Sequence, residues 1–172
     1  MRQFPTADGT MKFQVETAHL QVTASASDAV VRSGSRILLA LDIELKPGMH
    51  VYAPGVEGGY IPIDWSITGS PEWTAHPLAA PASEKLHLPA INETVPVYQG
   101  KFRLTRELTV GVLRGPGRDL AISGTFRYQA CDDKVCYTPR DVPLSWNVRL
   151  ETLDTQRAPE ELRRKTPAQG AR

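Results

Sequence analysis

Cysteine is almost missing from this chain: Cys131 and Cys136 are its only two in 172 residues. A framework of several disulfides is thereby excluded. At this length none is needed, because a single core can bury about two-thirds of the unfolded surface. Long apolar runs are missing too. No stretch approaches the roughly 18 uninterrupted apolar residues of a membrane span, and Met1 through Gly9 lacks the apolar centre of a signal peptide. The chain as given therefore reads as soluble, with any export signal already removed. Charge of one sign is not in excess: 20 basic residues stand against 19 acidic ones, net +1, and the basic residues are scattered through the body. That leaves no electrostatic footprint for nucleic acid. His19, His50, His76 and His87 offer no pair at His-x3-5-His spacing to complete a zinc site with the cysteines, so no metal is expected. Long amphipathic helices before residue 158, internal repeats and low-complexity tracts are also absent.

What is present is strand periodicity. Residues 11 to 25 alternate around Phe13, Val15, Leu20 and Val22, and Leu39, Leu41, Ile43 and Leu45 share one face of a run that ends at the turn signal Lys46-Pro47-Gly48. Met49 to Pro54 follows, then Tyr60 to Gly69, in which Ile61, Ile63, Trp65 and Ile67 share a face and Trp65 is expected in the core. Further strands are predicted over 102–110, 120–130 and 142–150, punctuated by Gly115-Pro116-Gly117. Fourteen prolines suit turns and sheet edges. The expected fold is all-β: an immunoglobulin-like antiparallel sandwich with Greek-key connections spanning 11–151. Residues 1–10 read as a flexible leader. Residues 152–172 read as a polar tail or linker with one weakly helical stretch, Pro159 to Lys165.

The cysteines lie five positions apart, in Gln129-Ala130-Cys131-Asp132-Asp133-Lys134-Val135-Cys136-Tyr137. A bridge closing about six residues gains only ~2 kcal/mol of loop entropy, against roughly 4 to 5 for one tying strands far apart in sequence. A staple would be better placed elsewhere, yet hairpin-closing disulfides occur in secreted β domains, and spacing alone leaves redox and structural roles both open. Asp132 and Asp133 adjoin Cys131 and disfavour its thiolate, whereas Lys134 lies nearer Cys136 and favours the thiolate there, unless these charges are merely solvated. Tyr52, Tyr98, Tyr128 and Tyr137 are candidates to wall the sulfurs, against ordinary packing on strand faces.

Three segments carry a family resemblance. They are Leu45 to Gly55 continued by Gly59 to Ile63, then Val97-Tyr98-Gln99-Gly100, and above all Tyr128 to Tyr137. On these, the chain resembles the amino-terminal periplasmic domain of the thiol:disulfide interchange protein DsbD. The resemblance implies an immunoglobulin-like protein-disulfide reductase, an electron-relay domain with no cofactor beyond a redox-active Cys131/Cys136 pair. It would take reducing equivalents from a thioredoxin-like domain and pass them by transient mixed disulfides to periplasmic disulfide-bearing proteins, cytochrome c biogenesis among the outlets. Cys136 maps to the cysteine that forms the mixed disulfide, with Cys131 resolving it. A cap loop maps to Glu93 through Gly100, with Val97 or Tyr98 covering the pair, and His50 and Tyr52 map to residues lining the site. Thr138 stands where the family motif usually has a second proline. The implied setting is the periplasm, as part of a larger inner-membrane protein or alone, and as a monomer. The reading set against it is a non-catalytic binding sandwich with a permanent hairpin disulfide.

Overall fold

The computed structural model describes residues 4–5, 11–89 and 92–152. In chain order the strands are β1 (Phe4–Pro5), β2 (Met11–Glu16), β3 (Leu20–Ala26), β4 (Val30–Arg32), β5 (Arg36–Leu45), β6 (His50–Tyr52) and β7 (Asp64–Ile67). They continue as β8 (Trp73–Ala75), β9 (Glu84–Leu88), β10 (Glu93–Gln99), β11 (Lys101–Val110), β12 (Arg118–Tyr128), β13 (Ala130–Cys131) and β14 (Arg140–Glu151). Of the predicted leader only Phe4–Pro5 is described, paired with Met11–Lys12. The predicted tail past Thr152, with its helical stretch, lies outside the described residues.

One sheet runs β1-β2-β3-β5-β11-β8 and a second runs β4-β14-β12-β7. Within them, β3-β5-β11-β8 and β7-β12-β14 reproduce the A-B-E-D and C-F-G orders of an immunoglobulin sandwich, Greek-key connections included. Every pairing between the described strands is antiparallel except that of β4 with β14, where Val30–Arg32 runs parallel to Arg149–Glu151. The predicted fold class is therefore observed, with one parallel edge added.

Alternation builds the core. Leu39, Leu41, Ile43 and Leu45 of β5 are buried together with Leu20, Val22, Ala24 and Ala26 of β3, Leu120, Ile122 and Phe126 of β12, and the inward residues of β14. Trp65 is fully buried, as its face in β7 requires, with its ring 5.9 Å from that of Trp146. Burying side chains of this kind contributes about 1.5–3 kcal/mol each. Gly124 lets β7 come close to β12: a Cβ there would meet the Ser66 carbonyl oxygen at 2.6 Å.

A third sheet, β13-β6-β10-β9, is made entirely from insertions between sandwich strands. β6 lies between β5 and β7, the β9–β10 hairpin between β8 and β11, and β13 between β12 and β14. These correspond to the B–C, D–E and F–G connections, so the third sheet sits at one pole of the sandwich. β14 leaves that pole at Arg140, opposite Tyr128, and ends at the other, where Leu150 pairs with Arg118. Met11, paired with Ala26, is at the same remote pole.

The predicted cap loop is not a loop: Glu93–Gln99 is strand β10, paired with both β6 and β9. Its Val, Tyr and Thr residues suit a pleated surface. Pro96 is tolerated because its carbonyl accepts from the Ala53 N–H, at 3.0 Å, on the side where β6 has just ended. The N–H it lacks would point the same way, and the Ala53 carbonyl it would have met accepts from the Val56 N–H instead, at 3.3 Å.

Candidate functional site

The turn between the cysteines is shaped by Asp132. Its carboxylate accepts the backbone N–H groups of Lys134 and Val135, both at 2.8 Å, and the Tyr137 hydroxyl at 2.7 Å. Backbone bonds from Asp132 N to Val135 O and from Tyr137 N to Ala130 O close the hairpin around the pair. Cys131 and Cys136 are joined as a disulfide, with Cα atoms 4.0 Å apart. Three donors to one carboxylate hold Asp132 well below the usual range, down to about 2, with the backbone N–H of Val135 the largest contributor.

β13 delivers Cys131 to the third sheet, where Cys131 stands opposite His50, and Ala130 opposite Val51. On the other side of β6, Tyr52 faces Val97 and His50 faces Gln99. Because side chains alternate, these registers sort the candidates by face. Cys131, Tyr52, Val97 and Val95 are buried together on the outer face, flanked by Tyr60, Val56, Leu86 and Leu88. Val51, Tyr98 and Ala130 point inward and join the main core.

Of the two candidate covering residues, then, Val97 lies with the cysteine and Tyr98 does not. The Tyr98 ring stacks on Phe102 at 4.5 Å, and its hydroxyl donates to the Pro81 carbonyl at 2.8 Å. Tyr128 also belongs to the main core, donating to Thr17 Oγ1 at 2.8 Å. Tyr137 packs against His19, centroids 4.5 Å apart, and braces the turn through Asp132 rather than covering the sulfurs.

Tyr52 sets its hydroxyl against the pair. Its hydroxyl lies 3.6 Å from Cys136 Sγ and 3.7 Å from Cys131 Sγ. Disulfide sulfurs carry no hydrogen, so the phenol is the donor. Burial, aided by the nearby Glu93 carboxylate, raises the Tyr52 pKa, which keeps that donor protonated. Tyr60 leans on Tyr52, centroids 4.6 Å apart, and donates to Glu93 Oε2 at 2.6 Å, a bond that pushes its own phenol up to about 12. The sequence singles out neither side chain: Tyr60 falls within a strand segment, and Glu93 only opens the stretch that maps to the cap loop. The period-two spacing of Glu93, Val95, Val97 and Gln99 is the signal that could have placed Glu93 on this face.

The two cysteines differ most in exposure. Cys131 is 1% exposed, whereas Cys136 is exposed, beside Val135 at 53%. Lys134 is exposed and meets Asp132 through its backbone N–H. His50 is 4% exposed, edge-on to Tyr52 at 5.7 Å between centroids. Burial lowers its pKa, partly opposed by Asp133 and Asp132. It also lines a groove of about 430 Å³ that Lys46, Glu44, Leu86 and Asp133 share. Among the described residues no group of three His, Cys, Asp or Glu side chains could hold a metal ion. Among the described residues there is no helix long and apolar enough to cross a membrane.

Comparison with known proteins places this geometry in context. The N-terminal periplasmic domain of ScsB from Proteus mirabilis superposes with a TM-score of 0.55 at 16% identity, over 83% of this chain and 51% of that one. The chain thus spans about half the length of that solved domain, and the likeness is one of fold. The reduced N-terminal domain of DsbD from Neisseria meningitidis is 14% identical over 63% of this chain and 74% of its own, with a TM-score of 0.41. No curated protein sequence gives a significant match. The family model for the N-terminal region of the thiol:disulfide interchange protein DsbD matches residues 17–143, from the edge of β3 through the whole cysteine turn. With that match over well more than half its length, the chain belongs to the family of DsbD N-terminal domains.

Proposed function

We propose that residues 11–151 form a periplasmic thiol-disulfide exchange domain. It acts as a protein-disulfide reductase that relays reducing equivalents from a thioredoxin-like donor to disulfide-bearing partners. The observation that carries this reading is the asymmetry of the bridge: one sulfur open to a partner, the other buried, and a phenol donor within reach of both. Reduced Cys136 attacks the partner disulfide as a thiolate and forms a mixed disulfide, which Cys131 then attacks to close the intramolecular bond and release the reduced partner. Run backwards, the same steps recharge the domain from its donor. Cytochrome c maturation is one outlet consistent with the family. The domain works as a monomer in transient complexes.

A Cys131→Ala variant removes the resolving sulfur, so it is expected to accumulate a covalent adduct with a thioredoxin-like domain on a non-reducing gel. A Cys136→Ala variant is not. If neither variant forms an adduct, and the wild-type bridge equilibrates below about −300 mV in thiol buffers, the bridge is a structural one.

A further inference from the structure

Resolution of a mixed disulfide at Cys136 requires the buried thiol of Cys131 to lose a proton. Burial disfavours the thiolate, and an ordinary thiol near pKa 8.5 is only a few per cent ionised at neutral pH. An internal acceptor is therefore needed, and the neighbouring strand supplies one.

We propose that His50 accepts the Cys131 proton as that sulfur attacks, a step that rests on the exchange reading above. His50 is the direct cross-strand partner of Cys131, a register that sets Cβ atoms about 4.5–5.5 Å apart on one face. Among the described residues its buried Nε2 has no hydrogen-bond partner, a condition that native proteins seldom leave unexplained. The groups around it suit a transient cation. Tyr52 lies edge-on from the same strand, Gln99 faces it uncharged from β10, Asp132 and Asp133 stand on the cysteine turn, and Glu44 and Lys46 flank the groove. Burial keeps the resting imidazole neutral and able to accept, while the two aspartates favour the imidazolium once it forms.

The step balances. The Cys131 thiol proton passes to His50, the sulfur electron pair forms the bond to Cys136 Sγ, and the bond from Cys136 Sγ to the partner breaks. The partner sulfur leaves as a thiolate and takes a proton from water. The imidazolium returns its proton to water through the groove. The cysteine pair is oxidised by two electrons and the partner is reduced by two.

Reduced protein mixed with dithiobis(nitrobenzoate) separates the steps. Attack by Cys136 releases a first thionitrobenzoate at a rate that depends on reagent concentration. Attack by Cys131 releases the second at a rate that does not. At pH 7, His50→Phe and His50→Gln are each expected to slow the second release roughly hundredfold, the scale of a lost general base. The first release should stay within about twofold, and the deficit should shrink as pH rises through the thiol range. Glutamine keeps hydrogen bonding but cannot carry the proton, so a glutamine variant with wild-type second-phase rate and pH profile overturns the proposal. Equal slowing of both phases, marking a merely structural role, overturns it too. If the wild type itself releases no second equivalent, the exchange reading fails and His50 with it. A normal wild-type second phase combined with unaffected variants removes the His50 role alone.

Discussion

Tyr52 brings one hydroxyl within reach of two sulfurs, and its value differs between redox states. To the closed bridge it offers a weak contact, whereas to a Cys136 thiolate it offers a charge-assisted bond of the kind worth about 1.5–3 kcal/mol. Tyr52→Phe keeps the ring that packs against Tyr60 and Val97 and removes only the donor. The Cys136 thiol pKa of the reduced protein is therefore expected to rise by about 1 unit, measured as the pH dependence of iodoacetamide alkylation, with the melting temperature little changed. Asp132 yields a prediction in pH. Its folded value of about 2 lies below the ordinary carboxyl value of 3.8, so the carboxylate stabilises the fold fully above the unfolded value. That contribution fades as pH falls through about 2. Urea melts of wild type and Asp132→Ala should accordingly differ at pH 7 and converge near pH 2. A gap that persists at pH 2 would mean that the turn depends on something other than the ionised carboxylate.

Strand β10 connects the site to the fold. Val97 pairs with Tyr52 and is fully buried in the small outer cluster rather than in the main core. Val97→Ala should cost about 2 kcal/mol. Its effect should be local: amide exchange should quicken in β6, β10 and β13 while β5, β11, β12 and β14 keep their protection. Speeding throughout the sandwich would contradict two separable clusters. The same strand marks the limit of what the sequence discloses. Leu39 through Leu45 announce their strand because a long alternating run buries one face completely, and Trp65 is marked by its place among Ile61, Ile63 and Ile67. β6 is three residues long and buried on both faces, and its partners lie some distance along the chain. No local pattern says that His50 will meet Cys131. The alternation of Val95 and Val97 is broken by Pro96, which reads as a loop until Ala53 is seen to bond its carbonyl. The cysteines were visible at once. That Val97 belongs with them and Tyr98 does not depends on a register that only the folded pairing defines.

At the scale of the molecule, the sandwich does not need its disulfide. The bridge closes five positions of chain at one pole, outside the main core. Opening it should lower stability by about 2 kcal/mol, a melting shift of roughly 4–8 °C for a domain of this size. Calorimetry of a Cys131→Ser, Cys136→Ser variant checks this, and loss of cooperative melting would assign the bridge a structural role instead. A redox centre that opens without unfolding its carrier can cycle repeatedly. The course of β14 adds a mechanical property. From Arg140 beside the site to Glu151, its 12 residues carry the backbone about 35 Å at strand rise, and Met11 returns to that same far pole. A linker, bead or anchoring segment joined beyond either residue therefore holds the domain like a handle, with the reactive tip directed outward and free to sweep whatever volume the tether permits.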